Sequence, residues 1–300
     1  TLFRSTITNS YLEKTDTGYQ EILVDGKVHI LNYDDNWELK LHRTLDYELP
    51  VFGAYYAGKN YNYLVFGQSG NTAGTEIYRV VKYDKDFNRL AALSVLYEDC
   101  YTVRPFAYGN VSAAEYGNNM IVYTSRIRPD GHQSNIALQI NTDTMTIDND
   151  YGMVSFPDVH VSHSLRQIVK YDEGNPVYVD LGDAYPRAVC LQEDPGSTIR
   201  MLDISGAVGD NITETDVSGL GISTDGYLVA GMQLKNNCYN IYMSYVEKGG
   251  TAGKVTWLTN SLPYDYTNVS NARIVEVKDD LFAVMWNCNV SCAPGIDFKL

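Results

Sequence analysis

Val51-Phe-Gly-Ala-Tyr-Tyr-Ala57, then Gly58-Lys-Asn60, then Tyr61-Asn-Tyr-Leu-Val-Phe-Gly67 reads as two apolar, aromatic strands joined by a short polar turn. β-branched and aromatic residues suit a pleated surface, and Gly and Asn tolerate the positive φ of a tight turn. The pattern returns down the chain. Ser112–Tyr116 leads through Gly-Asn-Asn to Met120–Tyr123, and Arg166–Tyr171 leads through Asp-Glu-Gly-Asn to Pro176–Asp180. Gly219–Ser223 leads through Thr-Asp-Gly to Tyr227–Gly231, and Ala272–Lys278 leads through Asp-Asp to Leu281–Trp286. The second strands begin near 63, 120, 177, 227 and 281, in steps of 57, 57, 50 and 54 residues.

A shared period of this length marks a repeat architecture, and helical periodicity is nearly absent. Asn32-Tyr-Asp-Asp-Asn-Trp37 and Lys82-Tyr-Asp-Lys-Asp-Phe87 align at a shift of 50, each placing an Asp turn between two aromatics. These features predict an all-β chain: a β-propeller of four-stranded blades over 6–48, 49–104, 105–158, 159–215, 216–265 and 266–300, with the first and last incomplete. Tandem β-sandwiches are the alternative. Inner strands crowd the propeller axis, which suits Gly53, Gly67, Gly219, Gly221 and Gly231. The 300 residues exceed the about 100–200 of one core, but a repeat escapes that bound because each unit packs only on its neighbours.

The charge is −14, from 23 Lys and Arg against 37 Asp and Glu, with no basic cluster. Such a surface repels phosphate backbones, so nucleic acid is not an expected partner. No apolar run approaches the roughly 20 residues that span a bilayer, so no membrane insertion is expected. Cys288-Asn-Val-Ser-Cys292 is spaced to close a small loop in an oxidising compartment; otherwise all five cysteines read as thiols, with Cys190 and Cys238 filling apolar strands. Thr1-Leu-Phe-Arg-Ser5 reads as translated adapter and is set aside, and Gly295–Leu300 ends within a strand. The expectation is a fragment of a longer protein with flanking domains, six- to eight-bladed when complete.

Candidate site residues gather in the fourth repeat: His160, His163 and Arg166 on one strand, Asp180, Asp183, Tyr185 and Arg187 on the next and its exit. Neighbouring strands of one hairpin bring these side chains to one rim as a candidate binding site. The bland reading makes the aspartates turn residues and the arginines ion-pair partners. No nucleophile elbow, zincin, phosphate-loop or EF-hand motif occurs, so no catalytic residue, cofactor or metal is assigned. A glycosidase pair would come from Glu115, Asp180, Asp183 and Glu193, two of them about 5–10 Å apart. Tyr55, Tyr56, Tyr61, Tyr63, Tyr264 and Tyr266 are either flat binding platforms or plugs between blades.

Ser162-His163-Ser164 with Asp180-Leu-Gly-Asp-Ala-Tyr-Pro-Arg187, Phe52–Gly58 and Tyr63–Gly67 resembles uncharacterised secreted or cell-surface repeat proteins of clostridial-type Gram-positive gut bacteria. The likeness spans about residues 20–290. It implies an extracellular or cell-wall location, often beside adhesive or carbohydrate-related modules, and supplies no catalytic residue. The expected function is a non-enzymatic surface module that binds glycan or protein, or scaffolds neighbouring domains. A carbohydrate-cleaving enzyme using His160, His163, Asp180, Asp183 and Arg187 is the first alternative, and a structural spacer is the second.

Overall fold

The computed structural model describes residues 10–148, 163–193, 198–261, 267–290 and 297–299. They form six antiparallel sheets in which strand order follows chain order, except that the short first strand of the third sheet pairs with that sheet's third strand. The first holds β1–β4 (Ser10–Thr15, Gly18–Val24, Val28–Tyr33, Leu39–Leu45), and the second β5–β8 (Val51–Ala57, Asn62–Gly67, Glu76–Tyr83, Arg89–Leu96). After one helical turn, α1 (Tyr97–Cys100), the third holds β9–β13 (Arg104–Pro105, Val111–Tyr116, Asn119–Ile127, Gln133–Asn141, Thr146–Ile147). The fourth holds β14–β17 (Ser164–Asp172, Asn175–Asp183, Arg187–Gln192, Ile199–Asp203). The fifth holds β18–β21 (Thr215–Ile222, Gly226–Lys235, Cys238–Glu247, Lys254–Trp257), and the sixth β22–β24 (Thr267–Lys278, Leu281–Val290, Asp297–Lys299). The first sheet is a full four-stranded blade, not the incomplete one expected. Its opening strands were missed because Tyr11-Leu-Glu-Lys14 and the Asp16-Thr17 turn are polar and short.

The chain divides into two compact units, 1–99 and 100–300. In the second unit the first strands of successive sheets, β10, β14, β18 and β22, are neighbours in order. That is the arrangement of propeller blades, each burying an apolar face on the next. Sheets four and five share a core that includes Val179, Leu181, Leu191, Val217, Leu220, Tyr227 and Val229. Within the first unit, Ile22, Val28 and Ile30 pack with Tyr55, Leu64, Phe66 and Val81.

Tyrosines act mainly as plugs. Tyr63, Tyr78, Tyr123 and Tyr242 are fully buried, and Tyr55 nearly so. The Lys82 ammonium lies 3.8 Å from the centre of the Tyr61 ring, while Tyr264 and Tyr266 lie outside the described residues. Cys100, Cys190, Cys238 and Cys288 are thiols, and Cys292 is outside the described residues.

The turn between third and fourth strands is one device used three times. In the first blade the Asp34 carboxylate accepts from the backbone of Asn36 and Glu38, and Trp37 takes φ +63°. In the second blade the Asp84 carboxylate accepts from Asn88, and Phe87 takes φ +58°. In the third, the Asn141 side chain accepts from Asp143 and Thr144, and Met145 takes φ +53°. A short side-chain acceptor satisfies the turn amides in each case. The third copy is hidden in sequence because Asn and Met replace Asp and an aromatic.

First strands carry a second shared device. β5, β14, β18 and β22 each have a bulge, one extra residue against the second strand. Gly53 sits in the β5 bulge. Gly219 serves close packing instead: a Cβ there would lie 2.1 Å from Ile274 Cγ2 of the next blade. Because that methyl branches directly from Cβ, it has no free torsion that clears the clash alone. Gly219→Ala is therefore expected to cost about 1–3 kcal/mol, the usual penalty of overpacking. A chemical-denaturation midpoint matching that of the parent chain would contradict this close packing.

Candidate functional site

The rim where first strands begin and second strands end is built by side-chain amides of the third blade. At the β14 bulge the ladder breaks between Ser164 and Gln167. The Asn110 amide donates to Gln167 O (2.7 Å) and its oxygen accepts from Gln167 N (2.7 Å). Gln133 does the same for Ser164, donating to its carbonyl (2.6 Å) and accepting from its N–H (2.5 Å). Two side chains thus stand in for a neighbouring strand. Between these clamps, the extra residue of the bulge falls on Leu165 and Arg166. Bulges re-aim side chains, and Arg166 leaves the sheet for solvent. Its Nε donates to the Asp216 carboxylate of the fifth blade at 2.5 Å.

The predicted cluster separates. His160 lies outside the described residues. Asp180 is buried, and its Oδ2 accepts from Tyr123 OH (2.7 Å), Asn135 Nδ2 (2.9 Å) and Ser164 OH. Burial pushes its carboxyl up to about 6, against the pull of those donors. Asp180 ties the third blade to the fourth from within the core.

Arg187 is also buried. Its Nε donates to Ser205 O (2.8 Å), Nη2 to Ile212 O (2.7 Å), and Nη1 to Asp210 O. The guanidinium is spent on the carbonyls of the 204–214 connection. His163, Asp183 and Tyr185 stay at the rim: His163 Nδ1 bonds the fully buried Asp183 carboxylate, and Tyr185 is exposed. Of the four carboxylates considered for glycoside cleavage, Glu193 and Glu115 stand apart from the two aspartates of β15. Glu193 follows the end of β16, whose Gln192 pairs with Tyr178, five positions back along β15 from Asp183. At ~3.3 Å per residue that is ~17 Å. Glu115 pairs with Met120 near the far turn of its hairpin, and the Glu193 carboxylate caps the Gly249 amide (3.1 Å).

Beside this rim, between the fourth and fifth blades, lies an open cleft of about 440 Å³. Its charged residues are Arg166, Glu214 and Asp216, and its aromatic residues are Tyr108 and Tyr239. Leu165, Leu181, Ile212 and Met232 supply apolar surface. Of the expected residues only Arg166 lines it. Tyr108, Glu214, Asp216 and Tyr239 were missed, being spread over three blades. Tyr108 is set by its neighbour: a Cβ on Gly109 would come within 2.5 Å of Gln167 Oε1 and Ser125 Oγ. Tyr108 itself adopts φ +63°.

No protein-family model matches the chain, and no curated protein matches it in sequence. A solved structure of an ulvan lyase of polysaccharide lyase family 25, bound to -[GlcA(1-4)Rha3S]-, is similar over 96% of this chain and 77% of its own. The TM-score is 0.59 and the identity 12%. The fold is a β-propeller. At that identity the likeness extends to the fold alone. An endo-arabinase from Bacteroides thetaiotaomicron VPI-5482 also matches, over 84% of this propeller and 92% of that chain, with TM-score 0.41 and 13% identity.

Proposed function

We propose that this propeller is a carbohydrate-binding module whose cleft between the fourth and fifth blades takes a neutral glycan. The observation that carries the reading is the pairing of tyrosines with a fixed Arg166–Asp216 pair in one open cleft. Tyrosine rings pack on the apolar faces of sugar rings, and the charged pair offers donors and acceptors to hydroxyls. Charge favours a neutral ligand. One arginine faces two carboxylates, Glu214 and Asp216, in a chain of net charge −14. An anionic polymer such as the one in the ulvan lyase structure would meet repulsion here.

The test is isothermal titration with neutral oligosaccharides, chosen from a glycan array. Arg166→Ala and Tyr108→Ala are each expected to weaken binding by ~10-fold or more, about 1.4 kcal/mol. Neither should cost more than about 1 kcal/mol of stability, because Tyr108 is largely exposed and the Arg166–Asp216 ion pair is part-exposed at the surface. A blank array, or variants that bind like the parent, would count against the cleft.

The His163–Asp183 pair supports a second, enzymatic reading. A buried carboxylate fixing one ring nitrogen leaves the other for proton transfer. Cleavage of an oligosaccharide that disappears in His163→Gln, with melting unchanged, would favour that reading over binding alone.

A further inference from the structure

We infer that the binding surface continues from the cleft along the 204–214 connection to Tyr185, and that the ligand is therefore an extended glycan chain rather than a single sugar. This inference rests on the glycan reading of the cleft. Three large apolar side chains stand out along this path: Ile212 is 65% exposed, Val208 56% and Tyr185 58%. Tyr108, at the cleft, is 69% exposed. Ile212 and Tyr108 both line the cleft, so the path is continuous with it. Gly209 N donates to Asp183 O (3.0 Å), which brings the Val208 segment against the turn that carries Tyr185.

Exposed apolar side chains on a floppy loop would fold down or be lost to motion. This loop is held. Arg187 binds the carbonyls of Ser205, Asp210 and Ile212 from below, and the Asp210 carboxylate accepts from Ile212 N (3.0 Å). Gly206, at φ +117°, packs so close to that guanidinium that a Cβ would come within 2.8 Å of Nη2. The connection is therefore a rigid strap that presents Val208 and Ile212 outward. Preorganised apolar contact beside a polar cleft suits successive sugar rings, each with an apolar face and a hydroxyl edge.

The ligand class follows from the neighbours of the strap. Asp210, Glu214 and Asp216 put negative charge beside the path, which disfavours acidic chains. The experiment is titration of the full chain with ladders of cello-, xylo- and manno-oligosaccharides, from two to about eight sugars. Affinity for one ladder should rise by ~10-fold or more between the shortest and longest binders. In a Val208→Ser, Tyr185→Ala double variant that rise should flatten, while affinity for the shortest binder stays at the parent value.

Length-independent binding in the parent overturns the extended path and leaves the cleft reading standing. A length dependence unchanged in the double variant does the same. Failure of every ladder to bind, with a protein captured on the same surface instead, overturns the cleft reading and the path together. Val208 and Tyr185 are exposed, and an unchanged denaturation midpoint checks that the variant folds.

Discussion

Replacing Arg187 with alanine lowers the unfolding free energy of the second unit by about 3–5 kcal/mol. The guanidinium is buried and donates to three carbonyls of a single connection, Ser205, Asp210 and Ile212. Removing it leaves these acceptors without their charged partner and opens a void beneath the strap. Hydrogen bonds to charged groups contribute about 1.5–3 kcal/mol each, though such values do not add in full. Lysine keeps the charge but not the planar fork, so Arg187→Lys should recover less than half of the loss. Chemical denaturation measures both. The variant should also lose glycan affinity, since Ile212, Glu214 and Asp216 follow the strap into the cleft. Parent-like stability in Arg187→Ala would show that solvent or neighbouring groups satisfy the carbonyls, and the rigid strap would fall with it.

The second large effect is at Asp180, and it depends on pH. Its carboxyl titrates near 6 in the folded chain, above the ordinary aspartate value of about 3.9, because burial disfavours the charged form. The folded state therefore holds the proton more tightly than the unfolded state. The stability this brings is fully present below about pH 4 and is lost as pH rises through about 6. A shift of two units corresponds to about 3 kcal/mol. Asp180→Asn mimics the protonated form and has nothing to titrate. The stability of the parent relative to Asp180→Asn should fall by about 2 kcal/mol between pH 4 and pH 7.

Asp180→Ala behaves differently. It removes the common acceptor of Tyr123, Asn135 and Ser164 and leaves buried donors unsatisfied, at a cost of about 3–5 kcal/mol. Denaturation midpoints across pH separate the two substitutions. A flat difference between parent and Asp180→Asn would mean that Asp180 ionises as freely as an exposed aspartate.

The blade pattern was legible in the residues because its causes are local. Alternating aromatics and β-branched residues set strands, and Gly, Asn and Asp set the turns, so Val51–Gly67 and its four counterparts could be placed closely. The Asp34 and Asp84 turns were legible as a repeat, while Asn141 and Met145 perform the same turn in other letters. The site was much less legible. Asp180 and Arg187 looked like surface chemistry beside Gly182 and Pro186, but nothing local says that Tyr123, Asn135 and Ser164 will enclose one and that a connection 18–25 residues downstream will consume the other. Arg166 was found, yet its role depends on a bulge and on Asp216, 50 residues away. The bulge itself depends on Asn110 and Gln133, side chains of another blade. Burial and inter-blade pairing are tertiary facts, which explains why the motif was visible and its division of labour was not.

Hydrogen–deuterium exchange of the full chain, with and without a saturating neutral oligosaccharide, reads the ligand position without prejudging it. Protection is expected in three stretches that are distant in sequence, around 106–112, 163–168 and 205–217. Protection confined to other blades, or none at a concentration where titration shows saturation, would contradict the placement of the glycan between the fourth and fifth blades.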